Sequence, residues 1–292
     1  MSKDILYNMK SQGLIAPKDY VLDNLCLLSY GGSISYGVNT PESDTDLIGF
    51  YVPPTDHIYQ PGIYGFDKPN IADVFTVQHI MFEGMSYDIT LYPIQQIFKL
   101  AYDGNPNIID FLVSDRKYVV YFNLIGLKAL DNARLFLSKK CVARYLGFST
   151  SELTAIKKGM DRYKSLINTH NVEEHLSENR LKELLPRYNL YKQYGYDVKA
   201  AGNMIRLCCS LDVLLKVGYY CPSDYNEDIR SVRNGEYSFD DLSRLVLAFK
   251  EEVKNKEEES SLVDEPNLTE VRNVLEDCID IFIRWEDDRL KG

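Results

Sequence analysis

Residues 25–52, LCLLSYGGSISYGVNTPESDTDLIGFYV, constrain the fold of this 292-residue chain more than any other stretch. Two short apolar runs, Leu25–Ser29 and Leu47–Val52, read as buried strands. Gly31-Gly32-Ser33 closes the first strand, and Asp44-Thr45-Asp46 leads into the second. Side chains alternate along a strand, so Asp44 and Asp46 point to the same face. Glycine lets backbone N–H groups approach a phosphate closely. Together these are the parts of a site that holds a nucleoside triphosphate through divalent metals.

The flanking patterns extend this start into a domain. Residues 3–12 read as a short helix and 16–24 as a turn or loop. Pro53-Pro54 closes the second strand, and the Pro-, Gly- and Tyr-rich residues 53–70 read as a surface loop. Val74–Met81 and Tyr87–Tyr92 form a predicted hairpin around Glu83-Gly84. In IQQIFKLAY, helical spacing puts Ile94, Ile97, Phe98 and Ala101 on one stripe; Gly104 ends that helix and Asn105-Pro106-Asn107 starts another. Tyr118–Tyr121 fits a last strand or an extended connector. From Leu124 the patterns are helical, most clearly over 139–168, 197–217, 239–256 and 267–290, with turns at Gly195, Gly218–Pro222 and Asn234-Gly235 and a loop at 257–260. The expected fold class is α+β: a mixed sheet with flanking helices over residues 1–123, then a mostly α-helical substrate-binding domain over 124–292.

Composition narrows the chemistry. Six cysteines without a C-x-x-C pair and only four histidines argue against a zinc site and suit reduced thiols in the cytoplasm. The first residues lack an apolar signal core, and no run approaches the roughly 20 apolar residues of a membrane span, so a cytoplasmic protein with no membrane partner is expected. The formal net charge of −10 speaks against a nucleic-acid partner for the chain as a whole. Its distribution reopens that reading, because residues 134–206 hold 14 Lys and Arg against 7 Asp and Glu, while 251–292 hold 6 against 14. A basic segment in an acidic chain suits local binding of a polyanion, or simply a solvated helical surface.

Nucleotidyl transfer moves an NMP unit from a triphosphate to a hydroxyl and releases pyrophosphate. Two divalent ions about 3.5–4 Å apart stabilise the attacking and leaving oxygens, and Mg²⁺ or Mn²⁺ in that role asks for converging carboxylates. Asp44 and Asp46 supply two. Asp88, a lone charge in the apolar and β-branched run SYDITLY, is the expected third and the natural acceptor of the hydroxyl proton. Ser33 and Ser43 could contact phosphate or nucleotide. An isolated Asp-x-Asp is more often a turn or a strand edge, and an isolated GGS more often a turn; the ordered set is far more specific. Tyr36, Tyr51, Tyr59, Tyr64, Tyr87 and Tyr92 cluster around these residues, more as layer fillers than as base-stacking platforms. His57 and His79 read as loop and strand residues without a chemical role.

Gly32-Ser33, ten residues, then Asp44-x-Asp46 resembles the signature of the DNA polymerase beta-like nucleotidyltransferase superfamily. The longer string, with Tyr36-Gly37, Pro41, Ser43 to Asp46, Gly49-Phe50 and Pro53-Pro54, is similar to the RlaP-type predicted nucleotidyltransferases associated with RNA repair. YDITLYPIQQIFKLAYDGNPNIIDFL and YDVKAAGNMIRLCCSLDVLLKVGYY fit the same group. The resemblance covers residues 25 to about 245. It implies nucleotide or phosphate contacts at Gly32, Ser33 and Ser43, and a second wall from Lys199, Asn203 and Arg206, which share one helix face at i, i+4 and i+7. Asn203 stands where the family pattern usually has a histidine; it retains hydrogen-bonding capacity toward a base or ribose.

The implied activity is metal-dependent transfer of an NMP from an NTP such as ATP to an acceptor hydroxyl, on an RNA end. A protein or small-molecule acceptor is the enzymatic alternative, and a nucleotide- or nucleic-acid-binding module without turnover the non-enzymatic one. The intact glycine turn and three carboxylates favour the enzyme. Which NTP, how many nucleotides are added and the oligomeric state are not written in these motifs.

Overall fold

Among the described residues, five strands form one mixed sheet: β1 (Leu25–Tyr30), β2 (Thr45–Tyr51), β3 (Phe75–Phe82), β4 (Met85–Pro93) and β5 (Val119–Phe122), in the order β3-β4-β2-β1-β5. The computed structural model describes residues 3–41, 43–58, 74–169 and 187–291. β2 and β4 run parallel; the other three neighbouring pairs are antiparallel. The strand-or-connector choice at Tyr118–Tyr121 resolves as the edge strand β5. The sheet is flanked by α1 (Asp4–Ser11), α2 (Asp19–Asp23), the single turn α3 (Gly32–Ser35), α4 (Thr55–Ile58), α5 (Ile94–Tyr102), α6 (Pro106–Val113) and α7 (Leu124–Asp131).

Alternation assigns the two faces. Leu28, Leu47, Tyr51, Tyr87, Ile89 and Leu91 cluster with Leu6 and Met9 of α1 and Val21 and Leu22 of α2. Residues of the opposite parity, including Asp46, Phe50 and Asp88, project to the other face. There α5 packs against β2 and β4, and α7 against β1. Ile94, Ile97, Phe98 and Ala101 of α5 are fully buried, as their spacing predicts. α6 begins where the sequence places it, with the Asn105 side chain accepting from the N–H groups of Asn107 and Ile108 and Pro106 in the first turn. Gly126 permits the approach of α7 to β1, since a Cβ there would stand 2.1 Å from the Cys26 carbonyl oxygen.

The chain divides into two compact units, drawn differently from the division expected at residue 123. The first comprises Met1–Cys141, Val217–Asp224 and Ser261–Gly292; the second comprises Val142–Lys216 and Tyr225–Ser260. The reason lies in the packing of late segments. The last helix, Leu268–Lys291, packs on α5 and α7. Lys128 pairs with Asp277 at 2.7 Å, and Lys139 N–H donates to the Val263 carbonyl at 2.9 Å.

The remaining α-helices of the described residues are α8 (Lys140–Thr169), α9 (Tyr188–Tyr194), α10 (Val198–Val217), α11 (Asn226–Arg233), α12 (Phe239–Glu259) and α13 (Leu268–Lys291). Leu153, Ile156, Ala201, Met204, Val232, Leu242 and Val246 form the core of the second unit. α9 and α11 are too short to stand out by periodicity. The loop expected at 257–260 is corrected: α12 continues through Glu259, because glutamate is a good helix former even in a charged run. Among the described residues no helix is long and apolar enough to cross a membrane.

Candidate nucleotide site

The structure brings the glycine turn and two of the three aspartates together at one end of β2. Asp46 is the second residue of β2, half-buried, and its register partner on the adjacent parallel strand β4 is Asp88. Parallel partners share a face, so the forty-odd residues between the two carboxylates are closed by a single pairing. Asp44 is exposed and lies just ahead of β2, two residues before Asp46.

Gly31 and Gly32 are tied to the same strand end. Gly31 N–H donates to the Asp46 carbonyl at 2.9 Å. Gly32 has φ +53°, and a Cβ on it would lie 1.8 Å from Asp46 Oδ2. Position 32 therefore needs glycine twice over, for its backbone and for the carboxylate packed against it. The turn α3 starts here, and the loop after it is stabilised by Val38 N–H donating to the Ser33 carbonyl at 2.9 Å. The Ser43 hydroxyl accepts from Thr40 N–H at 2.9 Å, so it shapes the loop that delivers Asp44.

Charge accumulates at this point. Burial, then Asp88 and then Asp44, push the Asp46 carboxyl up to about 6. Asp88 is anchored on its other side: its Oδ1 accepts the His79 N–H at 2.7 Å. The hard oxygen donors and the repulsion at Asp46 fit a divalent cation in kind. Among the described residues no three His, Cys, Asp or Glu side chains converge as a ready ligand group. The aspartates are neighbours on one sheet end rather than a closed cage.

The tyrosines separate by strand parity. Tyr51 and Tyr87 are fully buried in the core on the face away from Asp46. Tyr92 shares the face of Asp88, and burial raises its hydroxyl above the ordinary tyrosine value. Tyr36, directly after α3, donates through its hydroxyl to Asp110 Oδ2 at 3.4 Å. Asp110 is 2% exposed and also accepts from the Tyr220 hydroxyl. The sequence reading passed over this buried carboxylate, although a lone charge in the apolar helix IIDFLV was its signal. Tyr59, Tyr64 and the side chain of His57 lie outside the described residues.

Lys199, Asn203 and Arg206 lie in the second unit, on α10. Asn203 Oδ1 accepts from Arg206 Nε at 3.1 Å and Nη2 at 2.8 Å, and Asn203 Nδ2 donates to Glu152 Oε1 at 2.7 Å. Arg206 is 1% exposed, with Asn203 one acceptor of its guanidinium. Lys199 is exposed, two residues after the Asp197 cap of α10, whose Oδ1 accepts from the Lys199 and Ala200 N–H groups. On α8, Arg144, Lys157, Lys158, Arg162 and Lys164 are all exposed, which keeps much of the basic segment at the surface.

The family model RlaP, described as the RNA repair pathway DNA polymerase beta family, matches residues 17–283. An uncharacterized 38.9 kDa protein of Enterobacteria phage T4, from the nrdC-mobD intergenic region, is 31% identical over 121 residues. That match spans 41% of this chain and 35% of the phage protein, about a third of its length. The crystal structure of a nucleotidyltransferase-like protein from Exiguobacterium sibiricum aligns over 97% of this chain and 91% of its own, with 12% identity and a TM-score of 0.29.

Proposed function

The chain belongs to the RlaP family of polymerase beta-like nucleotidyltransferases, and on that premise we propose that it transfers an NMP from an NTP to a terminal hydroxyl of RNA, releasing pyrophosphate. The observation that carries this reading is the pairing of Asp46 with Asp88 beside a glycine turn packed on Asp46. Asp44, Asp46 and Asp88 would hold two Mg²⁺ or Mn²⁺ ions, which when bound supply the positive charge that offsets the triphosphate and the leaving pyrophosphate.

The chain's own groups have separable tasks. The backbone at Gly32 and Ser33, with the Ser33 hydroxyl, lies against the phosphates, since no side chain intervenes at position 32. The Tyr36–Asp110 contact fixes the end of the turn that presents those groups. Asp88 takes the proton of the attacking hydroxyl. Exposed cations of α8 and Lys199 track the RNA backbone, a sequence-independent and salt-sensitive attraction. Asn203 holds the Arg206 guanidinium through two hydrogen bonds on α10, and the pair serves with Lys199 as the second wall toward nucleotide and phosphate.

Incubating the protein with each labelled NTP, Mn²⁺ or Mg²⁺, and short RNAs with free terminal hydroxyls tests the proposal. Lengthened RNA is the expected product, lost in Asp44→Ala and Asp46→Ala proteins that remain folded. Transfer that survives both substitutions overturns the site; label on a protein or small molecule in a lysate, with none on RNA, overturns the acceptor.

A further inference from the structure

β3 is the edge strand beside β4, and its ladder is interrupted at one place. Val77 pairs with Ile89 and Ile80 with Tyr87, so two residues of β3, Gln78 and His79, stand opposite the single residue Asp88. An extra residue of this kind breaks the ladder and redirects the groups around it. The backbone donor at the break goes to a side chain, with His79 N–H reaching Asp88 Oδ1 at 2.7 Å. His79 holds φ +56°, left-handed backbone that a non-glycine residue adopts only when its surroundings impose it. The imidazole itself is 76% exposed, with Nδ1 3.9 Å from the same oxygen. The backbone thus makes the contact that accompanies the strain. Of the nine residues of β4, the one opposite the bulge is the register partner of Asp46.

We propose that the Gln78–His79 bulge is a positioning device for the third carboxylate of the nucleotide site. Its N–H pins one oxygen of Asp88, which restricts the carboxylate to one orientation and leaves the second oxygen for a divalent cation and the acceptor hydroxyl. A carboxylate beside another carboxylate would otherwise rotate away, and partners behind a ligand are what hold it in register. His79 acts through Asp88 and through its backbone, so its role follows tolerance of positive φ rather than side-chain chemistry. This inference rests on the reading of Asp44, Asp46 and Asp88 as metal-holding residues.

The test measures Mn²⁺ affinity by electron paramagnetic resonance on the full chain, alongside hydrogen exchange of the residue 79 amide by NMR and thermal unfolding. His79→Gly keeps both the N–H and the left-handed backbone, and is expected to keep Mn²⁺ affinity within about twofold. His79→Val, which resists positive φ, and deletion of Gln78, which restores a regular ladder, are expected to weaken Mn²⁺ by about ten- to a hundredfold. In the Asp88→Ala protein the residue 79 amide is expected to lose its exchange protection. Unchanged Mn²⁺ affinity in the folded Gln78-deleted protein overturns the positioning role alone. Loss of affinity in His79→Gly moves the role to the imidazole and overturns it too. If the wild-type protein binds no Mn²⁺, the metal-site reading itself fails, and the positioning role falls with it.

Discussion

Asp46→Asn should make the metal-free protein more stable while abolishing transfer. Burial and the two neighbouring aspartates move this carboxyl from an ordinary 3.8 to about 6. Each tenfold change in proton affinity corresponds to about 1.4 kcal/mol, so the full displacement is about 3 kcal/mol against the folded state at neutral pH. Asp46 is half-buried, and solvent screening reduces this to about 1–2 kcal/mol. The sign follows from the folded carboxyl titrating above the unfolded one. Below about pH 3.8 both states are protonated and nothing is lost. Between 3.8 and about 6 the unfolded chain ionises first, so stability falls as pH rises; above about 6 the loss is complete and constant. The isosteric amide removes the charge with little change of shape. Urea unfolding in EDTA should therefore show the variant about 1–2 kcal/mol more stable at pH 7.5, with the gap closing to a few tenths of a kcal/mol at pH 4. A melting midpoint raised by about 2–6 °C would accompany it. Added Mn²⁺ should stabilise the wild type and not the variant. A variant less stable at pH 7.5, or a gap that does not change with pH, would refute the account of a carboxylate held against its own charge.

Other substitutions probe the neighbouring parts. Gly32→Ala forces a methyl to within 1.8 Å of Asp46 Oδ2 at a backbone φ of +53°; transfer should be lost with about 1–3 kcal/mol of stability, and wild-type turnover would disprove the packing argument. Asp110→Ala removes the acceptor of the Tyr36 and Tyr220 hydroxyls and should cost about 2–3 kcal/mol in urea unfolding, whereas a cost near zero would show that water replaces it. Replacing Lys157, Lys158 and Arg162 together with glutamate should weaken RNA binding across sequences and flatten its salt dependence by about two to three charges. An unchanged salt slope in filter binding would move the RNA contact off α8.

The α+β class, four of the five strands and the capped start of α6 were legible because they rest on local signals: alternation, Pro-Pro and Asn-Pro-Asn punctuation, and apolar runs of strand length; Tyr118–Tyr121 fitted a strand or a connector equally. The pairing of Asp46 with Asp88 was legible only in part. Sequence gave the reason to want a third carboxylate, but the parallel register that delivers it is a long-range fact. The boundary at residue 123 misplaced α7, the segment Ser261–Gly292 and the short stretch 217–224, because helical periodicity does not say which core a helix joins. Arg206 shares an i, i+4, i+7 stripe with Lys199 and Asn203, yet a stripe does not say which of its members is covered: Lys199 is exposed and Arg206 is buried. The bulge opposite Asp88 left no trace at all, since Gln78 and His79 are ordinary strand-edge residues until the pairing on either side of them is known.

The three-part make-up of the first unit has a consequence for biogenesis. The sheet strands and their aspartates are synthesised early, but α13, which packs on α5 and α7, is made only after the whole second unit has been translated. With elongation at about 5–20 residues per second, the second unit can fold while the first still lacks its final helix. A nascent or prematurely terminated chain would then carry the complete aspartate motif on an unfinished scaffold. Timing of synthesis, in addition to any metal or substrate, would decide when the molecule first becomes competent, and a stalled translation product would stay inert toward the nucleotides around it.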